Sequence, residues 1–550
     1  MKSGKKWEIL SSFQTDPKTF KHEDLLDILL KNRNITKKDS AGFLHPKLSD
    51  VTIASVGIDK KQLAKAKKRL EKAISQKEKI VVYGDYDVDG ITASAIVWET
   101  LFAKKADVTP YIPHRVDEGY GLSILGIDNL LLQVPETKII ITVDNGIVAN
   151  KAVAYAKEKN IDVIITDHHT VGEKLPEAFV IIHTTKLCGA GVAWMFMQEF
   201  GKNNNHLDLV ALATVADLVP LINANRTLLT FGLKHLQQTK RKGLLALFNE
   251  AQIDAKNIYV YTIGHIIAPR LNAMGRMKSA MDSLRLLCTT DNNRAEKLAQ
   301  TLGITNRQRQ LVTKESAFHA IETVKNKSGK MKNILFIAEE TYEEGIIGLV
   351  AGKLVETYYR PSIVVSKKDG VSKASARSIH GFNIIEFIRT SSHLLIDAGG
   401  HPMAAGFTIA TEKITLLQET LEKLAQEKVT DDMLQRILKI DCELPLEIVD
   451  KNLFVKIQSL SPFGMGNVEP VFASSVLIRG IRTIGKEGNH LKLTLSPASK
   501  TPITFEAIGF GMGEYAENIH EGDEIIIAYT IDENTWNGKT TLQLKMKDIK

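Results

Sequence analysis

Between residues 78 and 170, short β-branched runs alternate with stretches of helical spacing: KIVVY, ITASAIVWETLFAK, KIIITV, NKAVAYAKEK and IDVIIT. This alternation predicts βαβ units and a parallel sheet. Residues 207 to 218, LDLVALATVADL, carry apolar residues at helical spacing and end near Asp217. From about 225 to 330 the pattern is mostly helical. A second α/β stretch begins at NILFIAEE near 333 and runs through PSIVVS to about 430, punctuated by glycine in GIIGLVAG and AGGHPMAAGF. From about 440 the texture changes to five short strands, VLIRGIRTI, HLKLTLS, ITFEAIGF, DEIIIAYTI and TTLQLKMKDI. Turn signals separate them, and a small barrel of the OB type is the most economical arrangement.

The expected class is therefore α/β, with two α/β lobes and a C-terminal β-barrel. A chain of 550 residues is too long for one core and fits three or four domains. The expected divisions are an N-terminal extension over 1–45, a first lobe over 46–235, a helical connector over 236–330, a second lobe over 331–435 and the barrel over 436–550. Within the connector, Lys and Arg outnumber Asp and Glu over 291–332, around NRQRQLVTKES. A basic helix joining the two lobes and a solvated helix face fit that segment equally.

Composition narrows the class without naming a function. With 44% hydrophobic and 25% charged residues, the chain reads as an ordinary soluble globular protein. No apolar run reaches the roughly 18 residues of a membrane span, and MKSGKKWEILSSF lacks the apolar core of a signal peptide. The expected location is the cytoplasm. The three scattered cysteines, Cys188, Cys288 and Cys442, exclude a disulfide framework and a Cys-rich zinc site. A net charge of +7 is compatible with a polyanionic partner and also with none.

Candidate chemistry gathers where the predicted strands end. In VVYGDYDVDGITASA, Asp85, Asp87 and Asp89 recur at every second position after an apolar run. Like charges so placed repel unless a cation sits among them, although DVDG is equally good turn and helix-start chemistry. The next two strands end in Asp144 and Asn145, and in Asp167, His168 and His169. Functional groups in open α/β sheets gather at the carboxyl ends of strands, so three acidic ends within about 85 residues converge on one crevice. The candidate ligands are Asp85, Asp87, Asp89, Asp144, Asp167, His168 and His169, with Asp217 from the later helix. Carboxylates outnumber imidazoles and no cysteine takes part, which favours hard ions, and the histidines tilt the choice toward Mn²⁺ over Mg²⁺. The number of groups exceeds the needs of one ion and implies two, with a carboxylate such as Asp144 able to bridge them.

The motifs DYDVDG, TVDNG, TDHH and ATVADLVPL resemble those of the DHH phosphoesterase superfamily. Six further stretches resemble the RecJ family of single-strand-specific exonucleases within it: EGYGLS, CGAGVAW, APRLNAMGRM, SARSIHGFNI, GGHPMAAGF and PFGMGN. Motif order and domain order agree over roughly residues 45 to 550. The resemblance implies a DHH catalytic lobe and a DHH-associated substrate-binding lobe joined by a long helix, with an OB-fold domain closing a clamp around single-stranded DNA. It implies metal ligation by Asp87, Asp89, Asp144, His168 and Asp217, and catalytic support from Asp85 and His169. It also implies contacts to the strand near its 5′ end from Arg115, Tyr120, Arg276, Ser375, Arg377, Gly399, Gly400 and His401.

The activity this implies is metal-dependent hydrolysis of single-stranded DNA, 5′ to 3′, to 5′ mononucleotides in repair and recombination. The expected partners are single-stranded DNA and, on the family pattern, a single-strand-binding protein and a helicase. A clamp closed within one chain suits a monomer. Two other readings stay open: a phosphodiesterase acting on short oligonucleotides or cyclic dinucleotides, and a non-catalytic single-strand-binding scaffold. The chain departs from the family pattern at Tyr342-Glu343, where relatives commonly carry Trp-His, which puts a substrate contact there in doubt. It also ends soon after the OB domain, so the further C-terminal domain of some relatives is not expected.

Overall fold

The computed structural model describes residues 4–12, 20–115, 117–201, 205–326, 330–498 and 502–550. Residues 1–3 and 13 of the N-terminal stretch and 327–329 of the basic segment lie outside them. The chain divides into two compact units: Lys47–Leu434, and Met1–Pro46 together with Gln435–Lys550.

In the larger unit the three predicted strands are Lys79–Gly84, Thr137–Val143 and Asp162–Asp167, flanked in one parallel sheet by Val108–Tyr111 and Val180–His183. Alternate side chains point to opposite faces, and both faces are filled. Ile80, Val82, Ile139, Ile141 and Ile164 pack with the helices Val88–Ala103, Gly189–Met197 and Leu207–Ala216. Val81, Tyr83, Ile140, Val163 and Ile165 pack against Ile124–Gln133 and Asn150–Glu158. Lys79–Gly84 lies between Val108–Tyr111 and Thr137–Val143, so the winding of the sheet reverses there. The crevice at such a switch point is where ligands bind in doubly wound sheets. Here it opens between the ends of the strands that precede Asp85 and Asp144.

A 35-residue helix, Asn292–Asn326, about 52 Å long, joins this lobe to the next. Its start buries Ala295, Ala299 and Leu302 against the first lobe, and its far end buries Ala320 against Ile347–Tyr358 of the second. The second lobe is a five-stranded sheet in the order Leu395–His401, Ala404–Ala410, Val371–Arg377, Ser362–Ser366, Leu335–Glu339. Only its last pair is parallel. Tyr342 is a packing residue: it is 2% exposed, its hydroxyl donates to Ser316 O at 3.2 Å, and it lies 2.8 Å from His319 Nδ1 on the long helix. A phenol with two partners inside the protein anchors the helix end, and only Glu343 faces solvent.

In the smaller unit the five predicted strands form a closed barrel: Phe472–Ile484, His490–Pro497, Phe505–Gly509, Lys539–Ile549 and Glu524–Trp536. Pairing of the first with the last closes it. Two further strands, Lys5–Ser11 and Arg436–Glu443, run parallel to one another and extend the sheet. Arg33 ties the N-terminal segment down, 3.0 Å from Asp441 Oδ1 and donating to Asn467 Oδ1 at 3.0 Å. Both partners of that ion pair are nearly buried, so it is screened little by salt.

Candidate metal centre and basic pocket

Each acidic motif is placed by a local rule of chain geometry. Asp87 is the N-cap of Val88–Ala103, and its Oδ1 accepts from the backbone N–H of Asp89 at 2.9 Å and Gly90 at 3.1 Å. The cap uses one carboxylate oxygen, so the turn reading of DVDG and a ligand role are compatible. Asp89, in the first turn of that helix, accepts from Gly189 N and Ala190 N, both at 2.6 Å. Those amides open the helix Gly189–Met197. A Cβ at position 189 would lie 2.6 Å from Asp144 Oδ1, so only glycine admits this approach. Asp144 holds a left-handed φ of 63°, a conformation non-glycine residues hold only when their surroundings impose it. Asp217 is the C-cap of Leu207–Ala216.

These turns bring the ligand atoms of Asp85, Asp87, Asp89, Asp144, His168, His169 and Asp217 into overlapping groups. Asp85, Asp87 and Asp144 form one; Asp89, His168 and Asp217 form another; Asp144 also groups with His168 and His169, and within each group the atoms lie within 4.8 Å of one another. His168 Nε2 stands 3.1 Å from Asp144 Oδ1 and 3.6 Å from both Asp89 Oδ2 and Asp217 Oδ2. Yet His168 Nε2, Asp144 Oδ1 and Asp85 Oδ1 are buried with no hydrogen-bond partner among the described residues. Convergent atoms that make no hydrogen bonds are the donor set a hard divalent ion requires.

The electrostatics agree. Burial and Asp87 push Asp89 up to about 7, and burial with Asp89 and Asp87 pushes Asp217 up to about 8. Asp85 and Asp144 are driven well above the usual carboxylate range by burial and by their acidic neighbours. Burial and the neighbouring His169 hold His168 down at about 4, so it stays neutral and keeps a lone pair to donate. The carboxylates repel one another while no cation is among them, and the site fits the divalent ions it was expected to hold.

Asp167 and His169 form a different device. The Asp167 carboxylate accepts from the backbone N–H of Ile147, His168 and His169 and lies 2.8 Å from His169 Nδ1. Its Oδ1 is thus fully engaged and its Oδ2 partly so, and although the sequence offers Asp167 as a candidate ligand it takes no place in the metal groups. Burial lowers the His169 pKa, but the bond to Asp167 and its charge outweigh this and lift it to about 9. Its Nε2 lies 3.2 Å from the Tyr120 hydroxyl, which also donates to Asp144 O at 3.3 Å. His401 from the second lobe stacks over His169, with ring centres 6.0 Å apart and planes at 17°.

Beside the carboxylates lies a basic pocket. The Arg115 guanidinium sits 4.8 Å over the Tyr86 ring. Arg276 donates to Gly345 O at 3.1 Å, and Arg377 donates to Ser375 Oγ at 3.2 Å and Ala376 O at 2.8 Å. A Cβ on Gly348 would lie 2.9 Å from Arg377, so the start of Ile347–Tyr358 abuts this pair. Helix N-termini present N–H donors and favour anions. Burial, and then Arg115 with Arg309 and Arg377, brings Arg276 down to about 10. Arg309, on the long helix, has a buried Nε with no hydrogen-bond partner among the described residues, and burial lowers its pKa. No ion pair to a carboxylate is found among the described residues for any of these four arginines.

The sequence-predicted residues Asp85, Asp87, Asp89, Asp144, His168, His169, Asp217, Tyr120 and His401 thus meet in one crevice. Arg115, Arg276, Ser375 and Arg377 meet in the pocket. Gly399 has open space above its Cα, whereas Gly400 is already required by its hairpin, where a Cβ would lie 2.4 Å from Ala404 O. Sequence reasoning missed Arg309, for which NRQRQ was the signal, and Asn272, whose Oδ1 accepts from Val88 N at 2.9 Å beside Asp87.

A doubly wound parallel sheet with overlapping acidic donor groups at its switch point defines a metal-dependent phosphoesterase core of the DHH type. Residues 79–218 match the DHH family N-terminal domain, 331–427 the DHHA1 domain and 440–548 the RecJ OB domain. The chain belongs to the RecJ family of single-stranded-DNA-specific exonucleases. It is 35% identical to RecJ of Bacillus subtilis over 564 residues, covering 99% of this chain and 70% of the relative. It is 31% identical to RecJ of Thermus thermophilus over 507 residues, covering 89% of this chain and 71% of the relative. The crystal structure of the Thermus thermophilus protein in complex with Mn²⁺ superposes with a TM-score of 0.83 at 26% identity, over 100% of this chain and 80% of that one. Its complex with Mg²⁺ gives 0.76 at 25%, over 99% and 78%.

Proposed function

We infer that this chain is a metal-dependent exonuclease that hydrolyses single-stranded DNA to 5′ mononucleotides in the 5′ to 3′ direction, in repair and recombination. The observation that carries the reading is the set of donor groups overlapping at Asp144 and flanked by unpaired arginines. Asp87, Asp89, Asp144, His168 and Asp217 hold two Mn²⁺ ions, with Mg²⁺ as the alternative occupant, and the grouping supports Asp85 as a further ligand. When bound, the ions acidify water for attack on phosphorus and neutralise charge developing on the phosphate. Asp167 fixes the His169 ring, and His169 and Tyr120 orient the phosphate and the water.

Arg115, Arg276, Arg377 and Ser375 grip the phosphates near the 5′ end, with Gly399 and Gly400 allowing close approach and His401 closing the site. The proposed division is into catalytic lobe (46–235), helical connector (236–330), substrate-binding lobe (331–435) and OB domain (436–550, with 1–45 preceding), the connector contributing Arg276 to the pocket. The OB barrel holds the strand through phosphate contacts and stacking. No helix among the described residues is long and apolar enough to cross a membrane. The protein acts in the cytoplasm as a monomer, supplied with substrate by a single-strand-binding protein and a helicase.

The test is digestion of an oligonucleotide labelled at either end, with Mn²⁺ and with EDTA. Mononucleotides should leave from the 5′ end, only with metal. Tight binding without cleavage under either condition would return the reading to a scaffold.

Arg309 belongs to the same pocket. Its guanidinium is half-buried and its buried Nε has no partner among the described residues, a partner that a phosphate would supply; hydrogen bonds to charged groups contribute about 1.5–3 kcal/mol. Arg309→Ala should raise KM for a 5′-phosphorylated oligonucleotide about 10- to 100-fold with kcat nearly unchanged. Equal KM values for variant and parent would place Arg309 outside the substrate path.

A further inference from the structure

Outside the crevice, three aromatic rings stand in file on the surface. Tyr259 and Tyr261 are 58% and 55% exposed, and His265 is exposed beside them. The Tyr259 and Tyr261 rings lie 6.2 Å apart at 23°, and the Tyr261 and His265 rings 4.2 Å apart at 14°. Large aromatic surface in water is unfavourable unless something covers it. The backbone supports this file. Ile263–Ile267 is a π-helical turn, and its wider winding carries residues four apart toward eclipse. Such turns are frequent at functional sites.

The file leads along the chain into the helix that reaches the crevice. The π-turn runs directly into Ala268–Met277. Asn272 and Arg276, four residues apart on Ala268–Met277, share one face of that helix. Asn272 bonds to Val88 N beside Asp87, and Arg276 lies in the basic pocket. His265 lies seven residues before Asn272, the residue that touches the metal loop. On the buried side, Gly264 packs near Val215, two residues before Asp217.

We propose that Tyr259, Tyr261 and His265 form a base-stacking shelf that holds the uncleaved part of a single DNA strand outside the catalytic crevice. The inference rests on the proposed single-strand nuclease reading. The rings are near parallel, so an unpaired base can extend the stack at either end, and stacking on aromatic faces tolerates any base sequence. A duplex, whose bases are already stacked and enclosed, offers no free faces, so the shelf favours the single strand.

The test measures affinity of the full chain in EDTA for oligothymidylates from about 4 to about 16 nucleotides. The parent, a variant with Tyr259→Ala and Tyr261→Ala, and one with Tyr259→Phe and Tyr261→Phe are compared. The parent and the Phe variant should gain affinity as the strand grows long enough to reach the shelf. The Ala variant should lack that gain by about tenfold or more. With Mn²⁺, all three should hydrolyse the shortest oligonucleotides alike. Superimposable length profiles, or an equal loss at every length together with a lower melting temperature, would overturn the shelf and leave a helix-surface contact. If the parent neither binds nor cleaves single strands, the nuclease reading fails too, whereas a cleaving parent with an unaltered Ala variant removes the shelf alone.

Discussion

Asp144→Ala is expected to lower the rate of single-strand hydrolysis by on the order of 10³-fold or more, with little loss of affinity for the strand. Asp144 belongs to two donor groups, one with Asp85 and Asp87 and one with His168 and His169. Its removal therefore weakens both halves of the centre at once. The protein holds it in a left-handed backbone conformation, seats it 3.1 Å from His168, and keeps Gly189 free of a Cβ to make room. Strain of that kind persists only where the surroundings over-determine it. Asp144→Asn keeps shape and removes charge, so it should be nearly as impaired. In the proposed reading the strand is gripped by the arginines, which the substitution leaves alone. Single-turnover cleavage with Mn²⁺, measured beside binding in EDTA, separates the two effects. A variant that retains activity within about tenfold of the parent would remove Asp144 from the shared position.

Asp167→Asn sets a useful contrast. Its Oδ1 accepts from the backbone of His168 and His169 and lies against His169 Nδ1, while its Oδ2 accepts from Ile147 N. The loss there is one of positioning, felt through His169 and Tyr120. Sequence could not separate the two aspartates, because residue type and spacing show a carboxylate at a strand end but not which of its lone pairs are already taken.

The same limit explains much of what was and was not legible. Three of the five parallel strands of the first lobe were readable because apolar β-branched runs are local, and so were the five barrel strands with their turn signals, whereas the short flanking strands Val108–Tyr111 and Val180–His183 were not. Lys5–Ser11 was not, since KKWEILS has no strong alternation and gains its place by pairing with Arg436–Glu443, from the far end of the sequence. Asp87 read equally well as cap and ligand, and the geometry shows one oxygen capping while the residue still joins a donor group. Arg309 was hidden in a charge run that resembles a solvated face, and only tertiary packing reveals that its Nε is buried. Tyr342, at a position where the sequence puts a substrate contact in doubt, is a core anchor for the long helix.

Metal-free protein is expected to lose stability as pH rises from about 5 to about 8, and Mn²⁺ to restore it increasingly over the same range. Asp89 and Asp217 have folded pKa values of about 7 and about 8, above the ordinary value of an aspartate. The folded state therefore binds more protons than the unfolded state between those limits. Their contribution is present below about pH 4 and is lost as pH climbs through 7 and 8. Asp85 and Asp144 act in the same direction. His168, held neutral with a pKa of about 4, acts oppositely below about pH 6.5, where the unfolded imidazole gains a proton that the folded one refuses. Above that pH His169, lifted to about 9, acts in the same direction as the carboxylates, and because each tenfold change in a protonation equilibrium corresponds to about 1.4 kcal/mol, the combined effect is on the order of several kcal/mol. Divalent ions bind the deprotonated groups, so the gain in melting temperature with Mn²⁺ should be larger at about pH 8 than at about pH 5.5. Thermal unfolding in EDTA and in Mn²⁺ across that range, repeated with Asp89→Asn and Asp217→Asn together, isolates the centre from the rest of the chain. The double variant should flatten the decline in EDTA and lose most of the Mn²⁺ gain. An unchanged decline would assign the pH dependence to groups elsewhere and leave these carboxylates charged and compensated in the metal-free fold.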